Sequence, residues 1–391
     1  MQEPKILVIN FGSTSTKLAY VEGTEFKIRE SISHDPERIK AFSSFNEQYD
    51  MRMEAILDFL DRRCISLDDI DAIAPRGGQT EPIPGGTWEV NDAMLAQTKS
   101  GVYGHHVCNL GPWIGHDLAE KSSHARVITT DTPTTNEMSV FARYSGLPEI
   151  ERHTVVQMLN IKAIARHWCE LNNKKFDRCR LIMVMLGGGI SVVGIHNGKA
   201  IDAPDALQGE GPFSNNRAGT LPTGQLVKMC YESGRTCEEM IHHINGEAGL
   251  TAYLGTTDMF KIMDKIFVGD PKTTEVISAM CYQTAKEIGA MATVFEGRVD
   301  GIVLTGGMAN IRFIVDELKR RCDWIAPIDV MPGEREMEAL AQGAYEGLMG
   351  IRPIQQFVPT ENLVGTAAAA SQETAQDEAE APRKRKGKSA E

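Results

Sequence analysis

A turn rich in glycine, serine and threonine joins two apolar stretches near the start of the chain. Residues 5–23 read KILVINFGSTSTKLAYVEG, and the turn holds Gly12, Ser13, Ser15 and Lys17. A glycine lets the backbone approach a phosphate closely, the serines offer hydroxyl and amide donors, and the lysine adds a positive charge at short range. These residue types at this spacing predict a strand hairpin that holds a phosphate group.

The same pattern occurs again in residues 181–198, which read LIMVMLGGGISVVGIHNG. The two segments align without a gap, so that Gly12 falls on Gly187. Gly23 likewise falls on Gly198, and the spacing is 175 residues in both cases. A repeat of that length is too long for a solenoid and indicates two similar domains in tandem. The two turns are expected to face each other across a cleft and to bind one nucleotide from both sides.

A third apolar stretch, IVLTGGM in residues 302–308, ends in the paired glycines Gly306 and Gly307. An ordinary strand and turn explains any one of the three segments, because glycine-rich turns are common. Three such turns at matching places in two half-chains favour a nucleotide site.

The composition is typical of a soluble globular protein. The chain has 391 residues, of which 42% are hydrophobic and 24% charged, and this length allows two domains with separate cores. No apolar run approaches the roughly 20 residues of a membrane span, and the start lacks the features of a signal peptide. We therefore expect a cytoplasmic protein without a membrane partner.

Cysteine spacing and charge argue against two further classes of protein. The eight cysteines include no Cys-x-x-Cys pair, so neither a zinc ribbon nor a disulfide framework is expected. The net charge is −12, and the tail from Thr366 does not account for it because its acids and bases balance. Broad nucleic-acid binding needs a basic surface, so no nucleic-acid partner is expected.

Strand and helix patterns alternate along the chain, which indicates an α/β architecture. Strands that begin near residues 72 and 127 end beside Arg76 and Asp131, at the kind of strand end where ligands of open α/β sheets gather. Apolar residues at three- and four-residue spacing predict the helices. They are expected at 51–60, 155–170, 274–295 and 311–320, and a last one is expected to begin at Met331.

The final part of the chain has low complexity. From residue 353 the apolar pattern fades, and an alanine- and acid-rich stretch precedes the basic cluster RKRK at 383–386. We expect a disordered, solvated tail over 353–391, although the basic cluster leaves contact with an acidic partner or a nucleic acid as an alternative.

Several segments together resemble the acetate and butyrate kinase family, and butyrate kinase most of all. The resemblance runs from residue 6 to about residue 350. Its strongest parts are residues 10–17, 76–78, 106–111, 186–191, 209–219, 304–307 and 332–341.

The resemblance implies the fold of the actin, Hsp70 and sugar-kinase superfamily, in which nucleotide binds between two tandem ribonuclease-H-like α/β domains. The first domain would span residues 1–150 and be completed by a helix at 334–352, and the second would span 151–333. The implied reaction transfers a phosphoryl group reversibly between ATP and a short-chain fatty acid, giving ADP and an acyl phosphate, with Mg²⁺ required. Family members are usually homodimers or higher homo-oligomers.

The resemblance also implies the catalytic residues. A carboxylate is already nucleophilic, so the enzyme must hold two anions in line and neutralise the charge on the transferring phosphoryl group. Arg217 matches the family's catalytic arginine, and Arg76 is a second candidate for the same task. Asp131 matches an acid near the transferring phosphate, and His106 stands where the family has a histidine.

The remaining implied residues would bind nucleotide and metal. Asn10 and Glu336 match residues near Mg²⁺, with Glu334 as the alternative if the register differs by a turn. The nucleotide would contact the three glycine turns. The residues concerned are Asn10, Gly12, Ser13, Ser15, Lys17, Gly187, Gly188, Gly189, Gly306 and Gly307.

The chain departs from the family at two histidines that contact the transferring phosphoryl group in relatives. Gln157 and Met185 replace them. Glutamine still donates a hydrogen bond but carries no charge, and methionine does neither. His153 or His196 is a possible substitute.

Three hypotheses therefore stand. The first is an active kinase for butyrate or a branched-chain acid. The second is a nucleotide-binding relative with a regulatory role and little kinase activity, and the third is an ATPase or sugar kinase of the same superfamily. The 209–219 segment with Arg217 argues against the third.

Overall fold

A computed structural model describes residues 3–206 and 208–360 of the chain. Its strands are β1 (Lys5–Phe11), β2 (Ser15–Glu22), β3 (Glu25–Ser33), β4 (Ala72–Pro75), β5 (Thr87–Glu89), β6 (Arg126–Thr130), β7 (Arg180–Leu186), β8 (Ile190–His196), β9 (Lys199–Asp202), β10 (Gly301–Gly306), β11 (Ile328–Pro332) and β12 (Ile354–Gln356). The predicted disordered tail lies outside the described residues from 361 onward. The prediction was wrong for residues 353–360. Strand β12 pairs with β5, and Phe357 is buried against that edge of the sheet.

The helices follow the predicted alternation with the strands. They are α1 (Pro36–Lys40), α2 (Tyr49–Arg62), α3 (Asp92–Ser100), α4 (Leu110–Ala119), α5 (Val140–Arg143), α6 (Met158–Leu171), α7 (Thr223–Glu232), α8 (Cys237–Gly246), α9 (Gly249–Leu254), α10 (Met259–Phe267), α11 (Pro271–Val294), α12 (Arg312–Cys322) and α13 (Glu336–Leu348). Within the described ranges, no helix is long and apolar enough to cross a membrane.

Two sheets with the same central topology organise the molecule. The first has the strand order β12-β5-β6-β4-β1-β2-β3, and the second has the order β11-β10-β7-β8-β9. In the first sheet β1, β2 and β3 pair antiparallel, and β4 and β6 continue the sheet in parallel on the other side of β1. In the second sheet β7, β8 and β9 pair antiparallel, and β10 and β11 continue it in parallel on the other side of β7. The structure thus has the tandem α/β architecture that the sequence predicted.

The two leading hairpins differ by one residue in their turns. Phe11 pairs with Thr16 across the first turn, whereas Leu186 pairs with Ile190 across the second, so the turns contain four and three residues. The gapless alignment therefore holds for β1 on β7 but is wrong by one residue for β2 on β8. At the far end of the hairpins the structural counterpart of Gly23 is Asn197, and both adopt left-handed backbone angles. Asparagine tolerates that conformation, so the position equivalent to Gly23 need not be a glycine. The sequence alignment matched Gly23 to Gly198 and was therefore one residue out.

The last helix begins later than predicted. Met331 and Pro332 end strand β11, and Glu336 is the first residue of α13. Pro332 lies at the end of an edge strand, where its missing N–H costs no ladder hydrogen bond. Gly333 follows with a φ of +92°, which turns the chain away before the helix.

Helices α6 and α13 lie between the sheets and contact each other. Leu340 and its neighbours on α13 pack against β1, β4 and β6, while Ile161 and its neighbours on α6 pack against β7 and β8. Gly343 allows the close approach of α13 to β6, because a Cβ atom there would lie 2.1 Å from Thr130 Oγ1. The predicted domain boundary at residue 150 stays a prediction.

Candidate active site

A cavity of about 210 Å³ collects side chains from both halves of the molecule, and we call it the central cavity. Arg76 and His106 reach it from the first half, and Arg217 reaches it from the second. The central cavity thus brings together residues that lie far apart in the sequence. The lining residues are Arg76, Gln79, His106, Cys108, Pro133, Val155, Val156, Gln157, Met185, Gly187, Gly188, Gly189, Ser191, Ala206 and Arg217.

Asn10, Arg76 and Glu336 form a hydrogen-bonded group beside this cavity. Asn10 is the last but one residue of β1, Arg76 directly follows β4, and Glu336 begins α13. The Asn10 Nδ2 donates to Glu336 Oε2 at 2.7 Å, and Arg76 Nη1 lies 3.3 Å from the same oxygen. Glu336 is only 4% exposed, so its carboxylate has little contact with water. The Arg76 guanidinium and the Asn10 amide stabilise its negative charge instead.

The amide oxygen of Asn10 is a candidate metal ligand. It is buried without a hydrogen-bond partner, because the amide nitrogen is the atom that faces Glu336. An orphaned oxygen beside a carboxylate is the kind of donor set that Mg²⁺ prefers. A second group of possible ligands lies at the C-terminal end of α4 and does not line the central cavity; it consists of His116, Asp117 and Glu120.

The first glycine turn is closed by its own backbone and by an arginine that the sequence analysis missed. The Gly12 amide donates to Ser15 O at 2.9 Å, and the side chain of Arg52 binds carbonyl oxygens of the same turn. Lys17 points elsewhere, because its Nζ pairs with Glu334 at 2.9 Å in a partly exposed contact. The two residues of that pair do not line the central cavity.

The second glycine turn is bounded by Ser214 and Arg217. The Ser214 hydroxyl donates to Gly188 O at 2.9 Å. Arg217 packs so closely on Gly189 that a Cβ atom there would lie 2.3 Å from its Nη1. The same Nη1 donates to Ala206 O at 3.3 Å, and burial lowers the pKa of Arg217 although Asp205 opposes the shift. A glycine at position 189 is therefore what allows the arginine to lie over the turn.

A second, larger cavity of about 870 Å³ adjoins the central one, and we call it the apolar cavity. The two cavities share Gly187 and Gly188. Gly307, which the sequence placed near the nucleotide, lines the apolar cavity, and Gly306 directly precedes it with a φ of +87°. The other lining residues are Asn215, Met259, Phe260, Met263, Met308, Asn310, Ile311, Arg312 and Phe313.

His106 faces the central cavity as a neutral imidazole. Desolvation and then the charge of Arg76 lower its pKa to about 4. The Cys108 amide donates to Nδ1 at 3.2 Å, so the ring proton lies on Nε2. His106 therefore offers an N–H donor to the cavity rather than a positive charge.

Asp131 does not line the central cavity. Its carboxylate is buried and lies 3.0 Å from Lys162 Nζ and 3.3 Å from Arg166 Nη2, and it accepts a hydrogen bond from the Gly86 amide. Burial raises the pKa of Asp131, but the two cations outweigh it and hold the value below the usual range. Its predicted catalytic role stays a prediction, and in this structure the carboxylate is occupied by two cations.

The two residues at the positions where the resemblance predicts histidines both line the central cavity. Gln157 directly precedes α6, and Met185 lies near the end of β7. Met185 Sδ accepts a hydrogen bond from Asn160 Nδ2 at 3.7 Å, so it is fixed in place by a buried neighbour. His153 and His196 do not line this cavity, and their proposed substitution for the missing histidines has no support from its lining residues.

Sequence reasoning overlooked Arg52 and Gln79. Arg52 lies one helical turn before the buried Ile56, so a charged residue within an apolar helical stripe was the available signal. Gln79 lines the central cavity and carries a buried Oε1 without a partner. No local pattern distinguishes it from a surface glutamine.

The fold is that of the acetate kinases. The chain is similar to acetate kinase from Porphyromonas gingivalis (TM-score 0.72, 19% identity, 89% of this chain and 100% of that one) and to acetate kinase from Entamoeba histolytica (0.70, 17%, 87% and 98%). It is also similar to a propionate kinase from Francisella tularensis (0.69, 16%, 87% and 98%). Residues 160–322 match the model of the acetokinase family, which bears out the predicted resemblance for that segment. The finer resemblance to butyrate kinase stays a prediction.

Proposed function

We propose that this protein is a carboxylate kinase that transfers a phosphoryl group reversibly between ATP and a short-chain fatty acid of butyrate size. One observation carries the proposal: Arg76 and Arg217, from opposite halves, line one cavity beside a glycine turn. Two guanidinium groups facing one small site suit a reaction in which two anions must be held together.

The nucleotide would bind across the two cavities. Its adenosine would occupy the apolar cavity, where Phe260, Met263 and Ile311 offer apolar contacts. Its phosphates would pass over Gly187 and Gly188, which belong to both cavities, and would reach the arginines. The order of these groups along one path supports a nucleoside triphosphate rather than a free phosphate.

Asn10 and Glu336 would hold Mg²⁺ through the orphaned amide oxygen and the carboxylate. The ion would supply positive charge at the phosphates. Arg76 would then share Glu336 with the metal and remain beside the transferring group.

The residues present suffice for the chemistry without a general base. The acid attacks as a carboxylate, Arg76 and Arg217 neutralise charge on the phosphoryl oxygens, and His106 donates a hydrogen bond from Nε2. Gln157 supplies a neutral donor where relatives use a histidine, and Met185 supplies none. We therefore expect slower turnover than in relatives with both histidines.

The walls of the central cavity favour an acid with an apolar chain. Pro133, Val155, Val156 and Ala206 line it beside the arginines. Each added methylene that contacts such walls is worth roughly 1–3 kcal/mol of discrimination. An acid of four or five carbons should therefore be used better than acetate.

The test is formation of acyl phosphate, trapped as the hydroxamate, with ATP, Mg²⁺ and acids from acetate to valerate. We expect turnover with butyrate-sized acids and a loss of at least about a hundredfold in kcat for Arg217→Ala. Arg235→Ala is the matched control, because Arg235 is exposed in the same half and does not line the central cavity.

Absence of turnover with every acid would contradict the proposal. If ATP still bound, the regulatory hypothesis would replace it. ADP release that depends on a hexose instead of an acid would favour a sugar kinase.

A further inference from the structure

Arg52 is the largest fully buried side chain of the described residues, with an exposure of 0%. It projects from α2 into the back of the first glycine turn. Its guanidinium donates hydrogen bonds to Gly12 O (3.0 Å), Ser13 O (3.1 Å), Ser15 O (2.9 Å), Thr16 Oγ1 (3.2 Å) and Gln48 Oε1 (2.9 and 3.1 Å).

All of these partners are neutral. Among the described residues, no carboxylate lies within ion-pair distance of Arg52. Burial lowers the pKa of Arg52 to about 10, which still leaves it protonated at neutral pH. A buried charge without a counter-ion is costly, so its retention needs a reason.

The hydrogen bonds of Arg52 determine which way the turn presents its amides. In a trans peptide the C=O and the following N–H point in opposite directions. Because Gly12 O and Ser13 O face Arg52, the amides of Ser13 and Thr14 must point away from it. These two amides donate to no group in the described part of the chain.

The remaining carbonyl of the turn is also occupied. Thr14 O accepts from the His34 amide at 2.9 Å, and Ser15 O accepts from Gly12. The turn therefore has its acceptors satisfied on one side and two free donors on the other. Successive free amides of this kind form an anion-binding concavity.

We propose that Arg52 is a positioning residue that presents the Ser13 and Thr14 amides to the terminal phosphate of the nucleotide, which serves as its counter-ion. The inference rests on the proposed function, because that function supplies the nucleotide. A merely structural arginine would brace the turn without any preference for the number of phosphates.

The test compares the affinities of wild type and Arg52→Gln for ATP, ADP and AMP by titration calorimetry. We expect the variant to lose about tenfold in ATP affinity while AMP affinity changes less than twofold. Arg62→Gln is the matched control: Arg62 lies on the same helix but pairs at the surface with Glu30 and Asp58. Equal losses for all three nucleotides, or no loss for ATP, would overturn the proposal.

A conservative variant covers the case in which Arg52→Gln does not fold. Arg52→Lys keeps the charge but has fewer donors, so ATP affinity should fall severalfold with AMP affinity unchanged. Unchanged ATP affinity in a folded Arg52→Lys protein would also overturn the proposal.

Failure of the proposed function would look different. If the wild type bound none of the nucleotides, that function would fall, and pyrophosphate would then test Arg52 by itself. Protection of the wild type but not of the variant against thermal unfolding would still support the positioning role, and equal protection would reject it.

Discussion

The two glycine turns occupy equivalent places in the two sheets, yet their neighbours support them in opposite ways. Behind the first turn lies Arg52, buried and bound to its carbonyl oxygens. The second turn is held by the neutral hydroxyl of Ser214. The positively charged side chain near this turn is Arg217, which lies over the turn at the central cavity. Two turns at corresponding places in the sheets thus carry an arginine behind the backbone in one half and an arginine on the cavity side in the other.

The acids that follow the corresponding strands β6 and β11 also differ in the groups that surround them. Asp131 is enclosed by Lys162 and Arg166, whereas Glu336 lies between Asn10 and Arg76 beside the central cavity. Asp131 is therefore engaged by two cations, whereas Glu336 is the acid that we propose holds Mg²⁺. The two acids follow corresponding strands, and their local partners differ.

The largest expected effect is a loss of stability on substitution of Asp131. Asp131→Asn should lower the free energy of unfolding by about 3 kcal/mol, because Arg166 loses its carboxylate partner and Lys162 keeps only Glu137. Urea denaturation at pH 7 measures this loss. Since the pKa of Asp131 is lowered in the folded state, its stabilisation is present above the unfolded value of about 4 and disappears as the pH falls through the folded value.

Glu336→Gln is the matched substitution in the second half. It should leave the protein folded but lower its affinity for Mg²⁺. An Mg²⁺ titration at fixed ATP would then show half-maximal activity at a higher Mg²⁺ concentration. A gap between the stabilities of wild type and Asp131→Asn that persisted unchanged at pH 3 would contradict the role given to Asp131. An unchanged Mg²⁺ requirement in Glu336→Gln would contradict the role given to Glu336.

Gly189→Ala tests the second turn through its arginine. A Cβ atom would lie 2.3 Å from Arg217 Nη1 and 3.0 Å from its Cζ, so the guanidinium must move off the turn. We expect kcat for acyl phosphate formation to fall about a hundredfold, as for loss of one preorganised donor. Gly224→Ala provides the control, because nothing lies within 4 Å of a Cβ atom there. Equal rates in the two variants would show that the position of Arg217 is unimportant.

The smallest expected effect concerns Met185, at a position where the resemblance predicts a histidine. Met185→His would place a donor in the wall of the central cavity, where Met185 now contacts Asn160. We expect kcat to rise by about tenfold, since a positioned proton donor contributes at least that much. Steady-state assays of wild type and variant would measure the change, and a lower kcat would indicate that the methionine suits this site better than a histidine does.

Local sequence predicted the parts of the fold that depend on nearest neighbours. The apolar strands, the alternation with helices and the glycine turns all appear close to their predicted places, as with α2 and α11. The start of α13 was wrong, because the pairing of β11 with β10 extends the strand through Met331 and Pro332. The register of β2 on β8 was wrong because turn length is not visible in a match of glycines.

The amino-acid sequence by itself determined the repeated hairpins, since these depend on residue type and short spacing, and its resemblance to a known family supplied the candidate arginines Arg76 and Arg217. Only the tertiary structure decided that Asn10 bonds Glu336, 326 positions away, and that Arg52 lies behind the first turn. It also decided that Asp131 is enclosed by cations from α6. Burial and the meeting of distant side chains are properties of the packed chain, so no local pattern encodes them.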